Sequence, residues 1–323
     1  MQCKTEKSIA LNILWEPDHL GPGFEMTRIQ QAPDSGDAPA HCTVVRYHPA
    51  GRERAAVYVH GFSDYFFNAE LAERFAAEGY DFYAVDLRRY GRSLRQGDEP
   101  FTMAGVEEYY ADIDAAIAIA KAGGARHITL IGHSTGGLTA ACYMNARPDA
   151  AVKAVVLNSP FLAWNLPWLL RVAAVPAVSV LAGLGVDIKM RVDATDRYAR
   201  TIRRELGGEW DYRTDWKPDV LPPVDFRWIR AIERARRSLR HSDIKVPVLV
   251  LHSDRTAPAG SKHELAARAD AVLDAGAIGR AALTLGSDVT VTSVPGGLHD
   301  LALSAPAVRV DYYRRLFAWL AQR

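Results

Sequence analysis

From Arg54 onward the chain alternates short apolar runs with amphipathic stretches, and this rhythm restricts its fold more than any other feature. "RAAVYVHG" (54–61) is a β-branched run stopped by glycine, and "AELAERFAAEGY" (69–80) has helical spacing that stops at Gly79. "DFYAVDLR" (81–88) reads as the next strand and 105–124 as a long helix. "HITLIGHS" (127–134) is a third strand followed by a small-residue helix, and "VKAVVLNSP" (152–160) is a fourth. Strands that alternate with helices make a parallel sheet covered on both faces, so the expected class is α/β. The rhythm breaks after Pro160. It resumes with "VPVLVLHSD" (246–254), a helix near 261–268, "DVTVTSVPGGLHD" (288–300) and a closing helix over 308–322. The expected organisation is one core made of 1–160 and 244–323, interrupted by a helical insertion at 161–243. An insertion leaving the C-terminal end of a strand lies over the edge where such sheets bind ligands, which suggests a cap. Ahead of the rhythm, "HCTVVRYHP" (41–49) alternates like an edge strand.

The formal net charge of the 323 residues is +1, so no global field draws the protein toward nucleic acid or anionic lipid. Two basic runs, 88–95 and 230–241, read as solvated faces, and the second has the apolar spacing of an amphipathic helix. Cys3, Cys42 and Cys142 are too scattered for a disulfide framework or a zinc site, and no metal or cofactor is expected. The N-terminal residues offer no small-residue cleavage site. Residues 166–186 are apolar enough to raise the question of a membrane span, but Arg171 and Pro176 interrupt them. A buried or surface-lying helix pair is the expectation there, with no integral membrane segment and a cytoplasmic protein. The sequence allows a homodimer.

Within "HITLIGHSTGGLTAA" a buried strand runs in, Ser134 sits at the turn and a helix runs out, the context that gives a G-x-S-x-G pentapeptide meaning. Gly132 and Gly136 suit a turn with no room for a β-carbon at either flank, leaving Ser134 strained at a helix N-terminus. A serine hydroxyl needs a base to become a nucleophile. His299, after the glycine pair of "VPGGLHD", is the candidate; His133 and His252 read as supporting groups. The imidazole in turn needs a carboxylate. Asp254, directly after "VPVLVLHS", is the first choice, with Asp270 and Asp274 in reserve and Asp288 behind them. The backbone N–H groups of Phe62, in "VHGFSDYFF", and of Thr135 are the expected oxyanion donors. His60 and Gly61 shape that loop. With His133, Tyr65 and Trp164 they are the expected substrate contacts. Trp164 and the later aromatics Trp210, Trp216, Phe226 and Trp228 either line an apolar acyl pocket or form the insertion's own core.

These pieces, "HGFSD" at 60–64, "DLRRYGRS" at 86–93, "GHSTGG" at 132–137, "NSP" at 158–160, "HSD" at 252–254 and "GGLHD" at 296–300, resemble the α/β-hydrolase superfamily. More narrowly they resemble its monoacylglycerol lipase and lysophospholipase branch, grouped with serine aminopeptidase-like hydrolases. The resemblance implies a mostly parallel sheet flanked by helices, with Ser134, Asp254 and His299 as nucleophile, acid and base. It implies hydrolysis of small-molecule carboxylic esters carrying one apolar acyl chain, without a cofactor. Amide, peptide or thioester hydrolysis, acyl transfer, and a non-catalytic ligand-binding relative are the alternatives.

Overall fold

The structure is a computed structural model and describes residues 13–32, 40–191 and 195–323. Cys3 and most of the turn sequence before Ala40 lie outside the described residues. The strands are β1 (Glu16–Pro17), β2 (Phe24–Gln31), β3 (Ala40–Tyr47), β4 (Arg54–Val59), β5 (Asp81–Asp86), β6 (His127–His133), β7 (Val152–Asn158), β8 (Lys189–Met190), β9 (Val224–Asp225), β10 (Val248–Ser253) and β11 (Val289–Val294). The helices are α1 (Ala69–Ala77), α2 (Tyr110–Ala122), α3 (Thr135–Ala146), α4 (Val175–Gly183), α5 (Ala199–Ile202), α6 (Phe226–Ser238), α7 (His263–Ala266), α8 (Ala275–Ala282) and α9 (Pro306–Leu320). Nine strands form one sheet in the order β1-β2-β3-β5-β4-β6-β7-β10-β11. Every neighbouring pair from β5 to β11 is parallel, and β1, β2 and β3 extend the sheet antiparallel.

The central strands are buried on both faces, and their period of two sends alternate side chains into two cores. Val57, Leu130, Val155 and Val250 face one core, completed by Ile113 and Ile117 of α2 and Leu138 of α3. Tyr58, Ile131, Val156 and Leu251 face the other, completed by Phe75 of α1 and Tyr312 and Leu316 of α9. This two-sided packing aligns the C-terminal ends of β4, β6, β7, β10 and β11 along one edge, where the loops of interest leave the sheet.

Three expectations need correction. The run at 41–49 is not an edge strand: β3 lies between β2 and β5. The sequence does not announce β2 because that strand mixes apolar and charged residues and is only partly buried. The helix expected at 261–268 is the single turn α7. The crossover between the parallel strands β10 and β11 also contains α8, in the stretch "AGAIGRAA". The basic run 88–95 is not a solvated face. Arg88 is buried against Asp112 at 2.7 Å, and Arg92 lies between Asp18 at 2.6 Å and Asp86 at 2.8 Å.

Residues 161–243 contribute no strand to the nine-stranded sheet among the described residues. They do hold the two-residue strands β8 and β9, too short to leave a sequence pattern. Asp225 caps α6 by accepting from the Trp228 N–H at 2.6 Å, and α6 buries Trp228, Ile229, Ile232 and Ala235. A π-helical turn (170–174) leads into α4, and Trp168, Leu169, Val172, Val180, Leu184 and Ile188 in and around it face solvent. No helix of the described residues is long and apolar enough to cross a membrane.

Candidate active site

The turn between β6 and α3 puts Ser134 at φ 53° and ψ −119°, a left-handed conformation that costs an L-residue roughly 1–3 kcal/mol and persists only where its surroundings enforce it. The flanking glycines show what enforces it. A β-carbon on Gly136 would stand 2.1 Å from the His60 carbonyl oxygen, and one on Gly132 would stand 2.6 Å from the Gly136 carbonyl oxygen. Helix α3 is thereby driven against β4, and the serine hydroxyl is projected from the sheet edge at the positive end of the helix dipole.

His299 follows β11 and reaches back to this turn. Its Nε2 lies 2.9 Å from Ser134 Oγ, and its Nδ1 lies 2.9 Å from Asp270 Oδ2. All three groups are buried, Asp270 completely. The other oxygen of Asp270 accepts from the Val272 N–H at 2.8 Å and the Leu273 N–H at 2.7 Å, so the carboxylate is fixed and its negative charge is met by donors. Backbone bonds Ala257 N–H to Asp270 O (2.7 Å) and Asp270 N–H to Arg255 O (3.0 Å) tie its loop to the end of β10.

Asp254, the first choice from the sequence, does not meet His299. Its carboxylate turns to the exposed side, paired with Arg255 at 2.6 Å and accepting from the Gly296 N–H at 2.9 Å. Partial burial pushes this carboxyl up, but Arg255 and that N–H outweigh it and the pKa is lowered. Asp254 therefore ties two loop ends together, and the loop entered after it carries the reserve candidate Asp270 to the histidine. Asp274 is occupied as the cap of α8, accepting from Ala277 N–H at 2.9 Å, and Asp288 sits 3.5 Å from Arg323.

The loop after β4 packs directly on the turn: a β-carbon on Gly61 would meet Ser134 Cβ at 3.1 Å. No hydrogen bond engages the N–H of Phe62 or of Thr135, the first residue of α3, among the described residues. His60 Nδ1 lies 2.8 Å from the Gly61 carbonyl and its Nε2 accepts from the Leu87 N–H at 3.0 Å. Only the neutral Nδ1–H tautomer satisfies both contacts, so His60 holds the loop and has no nitrogen left for a substrate. Tyr65 and Trp164 are likewise engaged elsewhere: Tyr65 Oη accepts from the Arg213 N–H at 2.8 Å, and Trp164 Nε1 donates to Glu233 at 3.3 Å. His133 is buried with its ring 4.9 Å from that of His299 and its Nδ1 donating to the Asn158 carbonyl at 3.1 Å.

Residues 161–243 supply groups that carry no sequence signal. The Tyr198 ring stands edge-on to His299 at 5.8 Å, and its hydroxyl accepts from the Asp300 N–H at 3.3 Å. Arg197 donates to the carbonyl of Ala271, next to Asp270, at 2.9 Å. Lys217 Nζ is buried 2.9 Å from Asp64 Oδ1, two residues beyond Phe62. Phe62 also lines a cavity of ≈ 210 Å³, together with the apolar Phe101, Pro222, Val224 and Trp228 and the polar Glu99, Thr102, Lys189 and Asp225. Of the aromatics expected at a pocket, Trp228 lines this one; Trp210 and Trp216 instead pack near Phe67 and Tyr65.

Residues 51–305 match the family described as serine aminopeptidase, S33. Phospholipase YtpA of Bacillus subtilis (strain 168) is 25% identical over 203 residues, 61% of this chain and 73% of that protein. Among solved structures, the monoacylglycerol lipase of Paleococcus ferrophilus has a TM-score of 0.62 at 21% identity, covering 92% of this chain and 98% of that one. A soluble variant of the monoglyceride lipase of Saccharomyces cerevisiae has a TM-score of 0.64 at 15% identity, covering 98% and 99%. At these identities the structural likeness speaks for the fold: a mostly parallel sheet flanked by helices.

Proposed function

The chain belongs to the serine aminopeptidase S33 family and has its α/β-hydrolase fold, and from that premise we propose that it hydrolyses carboxylic esters of a single acyl chain through an acyl-enzyme on Ser134. The observation that carries this reading is the continuous row Ser134 Oγ, His299 Nε2 and Nδ1, Asp270 Oδ2, with both contacts at 2.9 Å. A nucleophile within reach of a base, and a base oriented by a buried carboxylate, is the arrangement that makes a neutral hydroxyl reactive. His299 takes the proton as Ser134 attacks the ester carbonyl, Asp270 stabilises the imidazolium, and the N–H groups of Phe62 and Thr135 receive the oxyanion. His299 then protonates the leaving alcohol, and water activated by the same imidazole releases the acid. No metal or organic cofactor enters these steps.

The cavity beside Phe62, with Phe62, Phe101, Val224 and Trp228 among its lining residues, supports an acyl chain as the group held, and segment 161–243 is read as the cap over it. The names of the phospholipase and of the monoacylglycerol lipases to which the chain is similar point the same way. Cleavage of aminoacyl substrates is the second reading, favoured by the family's description. We place the protein in the cytoplasm, a setting that the free, buried Cys42 and Cys142 fit. The test is labelling by a fluorophosphonate at Ser134, with p-nitrophenyl esters, monoacylglycerols, lysophospholipids and aminoacyl anilides assayed in parallel. Labelling lost in Ser134→Ala and turnover of the esters above the anilides is expected. Folded protein that takes no label at Ser134 would overturn the mechanism, and turnover of the anilides alone would overturn the ester assignment.

A further inference from the structure

The serine and the histidine leave the sheet from β6 and β11, which are three strand positions apart, about 14 Å at the usual spacing. Their side chains nevertheless meet at 2.9 Å. Something between them must hold the two loops in register, and β7, the neighbour of β6, ends there in Asn158. Asn158 is buried, 1% exposed, and its backbone and side chain engage opposite sides. The backbone carbonyl of Asn158 accepts from the Ser134 N–H at 3.1 Å and from His133 Nδ1 at 3.1 Å, both on the nucleophile turn. Its amide faces the opposite way: Nδ2 donates to Asp300 Oδ1 at 2.7 Å, and Oδ1 accepts from the Leu301 N–H at 3.2 Å.

Asp300 directly follows His299 and completes the connection. Its Oδ1 also accepts from the Ala302 N–H at 3.0 Å, fixing the short turn that begins there, while Oδ2 stands 3.9 Å from His133 Nε2. Two residues outside the Ser–His–Asp row thus join the turn that carries the hydroxyl to the loop that carries the imidazole.

We propose that Asn158 and Asp300 are positioning residues, a buried brace that holds His299 at hydrogen-bonding distance from Ser134; this rests on the acyl-enzyme reading above. The chemistry demands an amide at 158. Aspartate there would set two carboxylates against each other at 2.7 Å, whereas leucine would leave Asp300 Oδ1 with the Ala302 N–H as its one remaining donor and the buried Leu301 N–H without its acceptor. At 300 the requirement is an acceptor, which an asparagine carbonyl oxygen also supplies. A misplacement of about 1 Å between reacting groups costs about 10²-fold in rate, so loss of the brace falls on turnover and leaves substrate binding intact.

Asn158→Leu, Asp300→Ala and Asp300→Asn test this in the full chain, with p-nitrophenyl butyrate kinetics, fluorophosphonate labelling and the low-field proton signal of the His299 Nδ1–H facing Asp270. Asn158→Leu and Asp300→Ala are expected to lower kcat about 100-fold with KM within twofold, to slow labelling in step and to shift or broaden the low-field signal. Asp300→Asn is expected to recover most of the loss. A kcat for Asn158→Leu within twofold of the parent overturns the brace. So does a variant preparation whose labelled fraction turns over at the parental rate, because the residue would then serve folding alone. The low-field signal reads the geometry even if the parent cleaves none of the esters: an unchanged signal in Asn158→Leu overturns the brace, whereas a parent that neither labels nor hydrolyses overturns the acyl-enzyme reading.

Discussion

Asp270 Oδ2 lies 2.9 Å from His299 Nδ1, while Asp254, sixteen residues earlier, turns its carboxylate to Arg255 and to the Gly296 N–H. The two aspartates leave the same strand region and differ in burial, and they are expected to part sharply when changed. Asp270→Asn keeps the shape but offers the imidazole an amide, which disfavours the productive tautomer and the cation; a loss of about 10⁴-fold in kcat is expected. Asp254→Asn removes a half-exposed surface pair and is expected to leave kcat within a few-fold, with at most about 1 kcal/mol of stability lost. Steady-state kinetics of both variants on one ester checks the assignment, and a large kcat loss in Asp254→Asn would reverse it.

A β-carbon at position 136 has nowhere to go. It would stand 2.1 Å from the His60 carbonyl oxygen and 2.5 Å from that of Val59, both backbone atoms of a central strand end that cannot yield cheaply. Gly136→Ala is expected to destabilise the fold by about 3 kcal/mol or more and to reduce fluorophosphonate labelling of whatever folds. Alanine at Gly276, where the nearest atom is the flexible Arg280 side-chain tip at 3.4 Å, is the control and is expected to leave urea unfolding unchanged or slightly improved.

The parts legible in the sequence were those written in local patterns. Ser134 declared itself because the glycines a tight turn needs must be adjacent to it in the chain, and His299 because the last strand ends just before it. Which carboxylate meets His299 is harder to read for a physical reason: a loop can carry a carboxylate a long way from its strand, and position after a strand does not distinguish Asp254 from Asp270. What separates them is the pair of N–H groups waiting for Asp270 at 272 and 273, which exists only after folding. Tyr198, Arg197 and Lys217 are illegible for the same reason, since they reach the site from segment 161–243 through single contacts with no periodicity. Asn158 and Asp300 stood inside recognised motifs, yet their role depends on two loops meeting.

Lys217 and Asp64 form a buried ion pair between segment 161–243 and the loop that carries Phe62, 2.9 Å apart with side chains 11% and 5% exposed. Burial pushes the Asp64 carboxyl up, but Lys217, by its charge and its hydrogen bond, pulls harder and the pKa is lowered. Such a group stabilises the fold above its unfolded pKa, and that contribution is lost as pH falls through the folded value. Lys217→Met leaves the carboxylate buried and unpaired and is expected to cost about 3–5 kcal/mol at neutral pH. In the variant Lys217 no longer offsets burial, Asp64 takes up a proton more readily, and the gap to the parent narrows on acidification. The double change Asp64→Leu, Lys217→Met is expected to recover most of the loss. Urea unfolding at neutral and mildly acid pH measures both, and a pH-independent gap would show that the lysine acts by packing alone.

His133 brings the opposite sign. Its pKa is lowered from 6.5 chiefly by burial, with His299 and Lys217 acting in the same direction and Asp300 and Asp64 opposing. The Asn158 carbonyl, which can only accept, keeps the proton of the neutral ring on Nδ1. As pH falls through the unfolded value the unfolded chain binds a proton that the folded chain refuses, so stability is full above about pH 6.5 and declines below it, by up to about 1.4 kcal/mol per pH unit until the folded value is reached. His133→Gln removes the titration while keeping a donor for Asn158, and its unfolding free energy is expected to fall less steeply between neutral and mildly acid pH than that of the parent. Chemical denaturation across that interval provides the comparison. Equal slopes for the two proteins would mean that the fold accepts a charged imidazole at 133, with Asp300 as its counter-ion and a fixed positive charge beside His299.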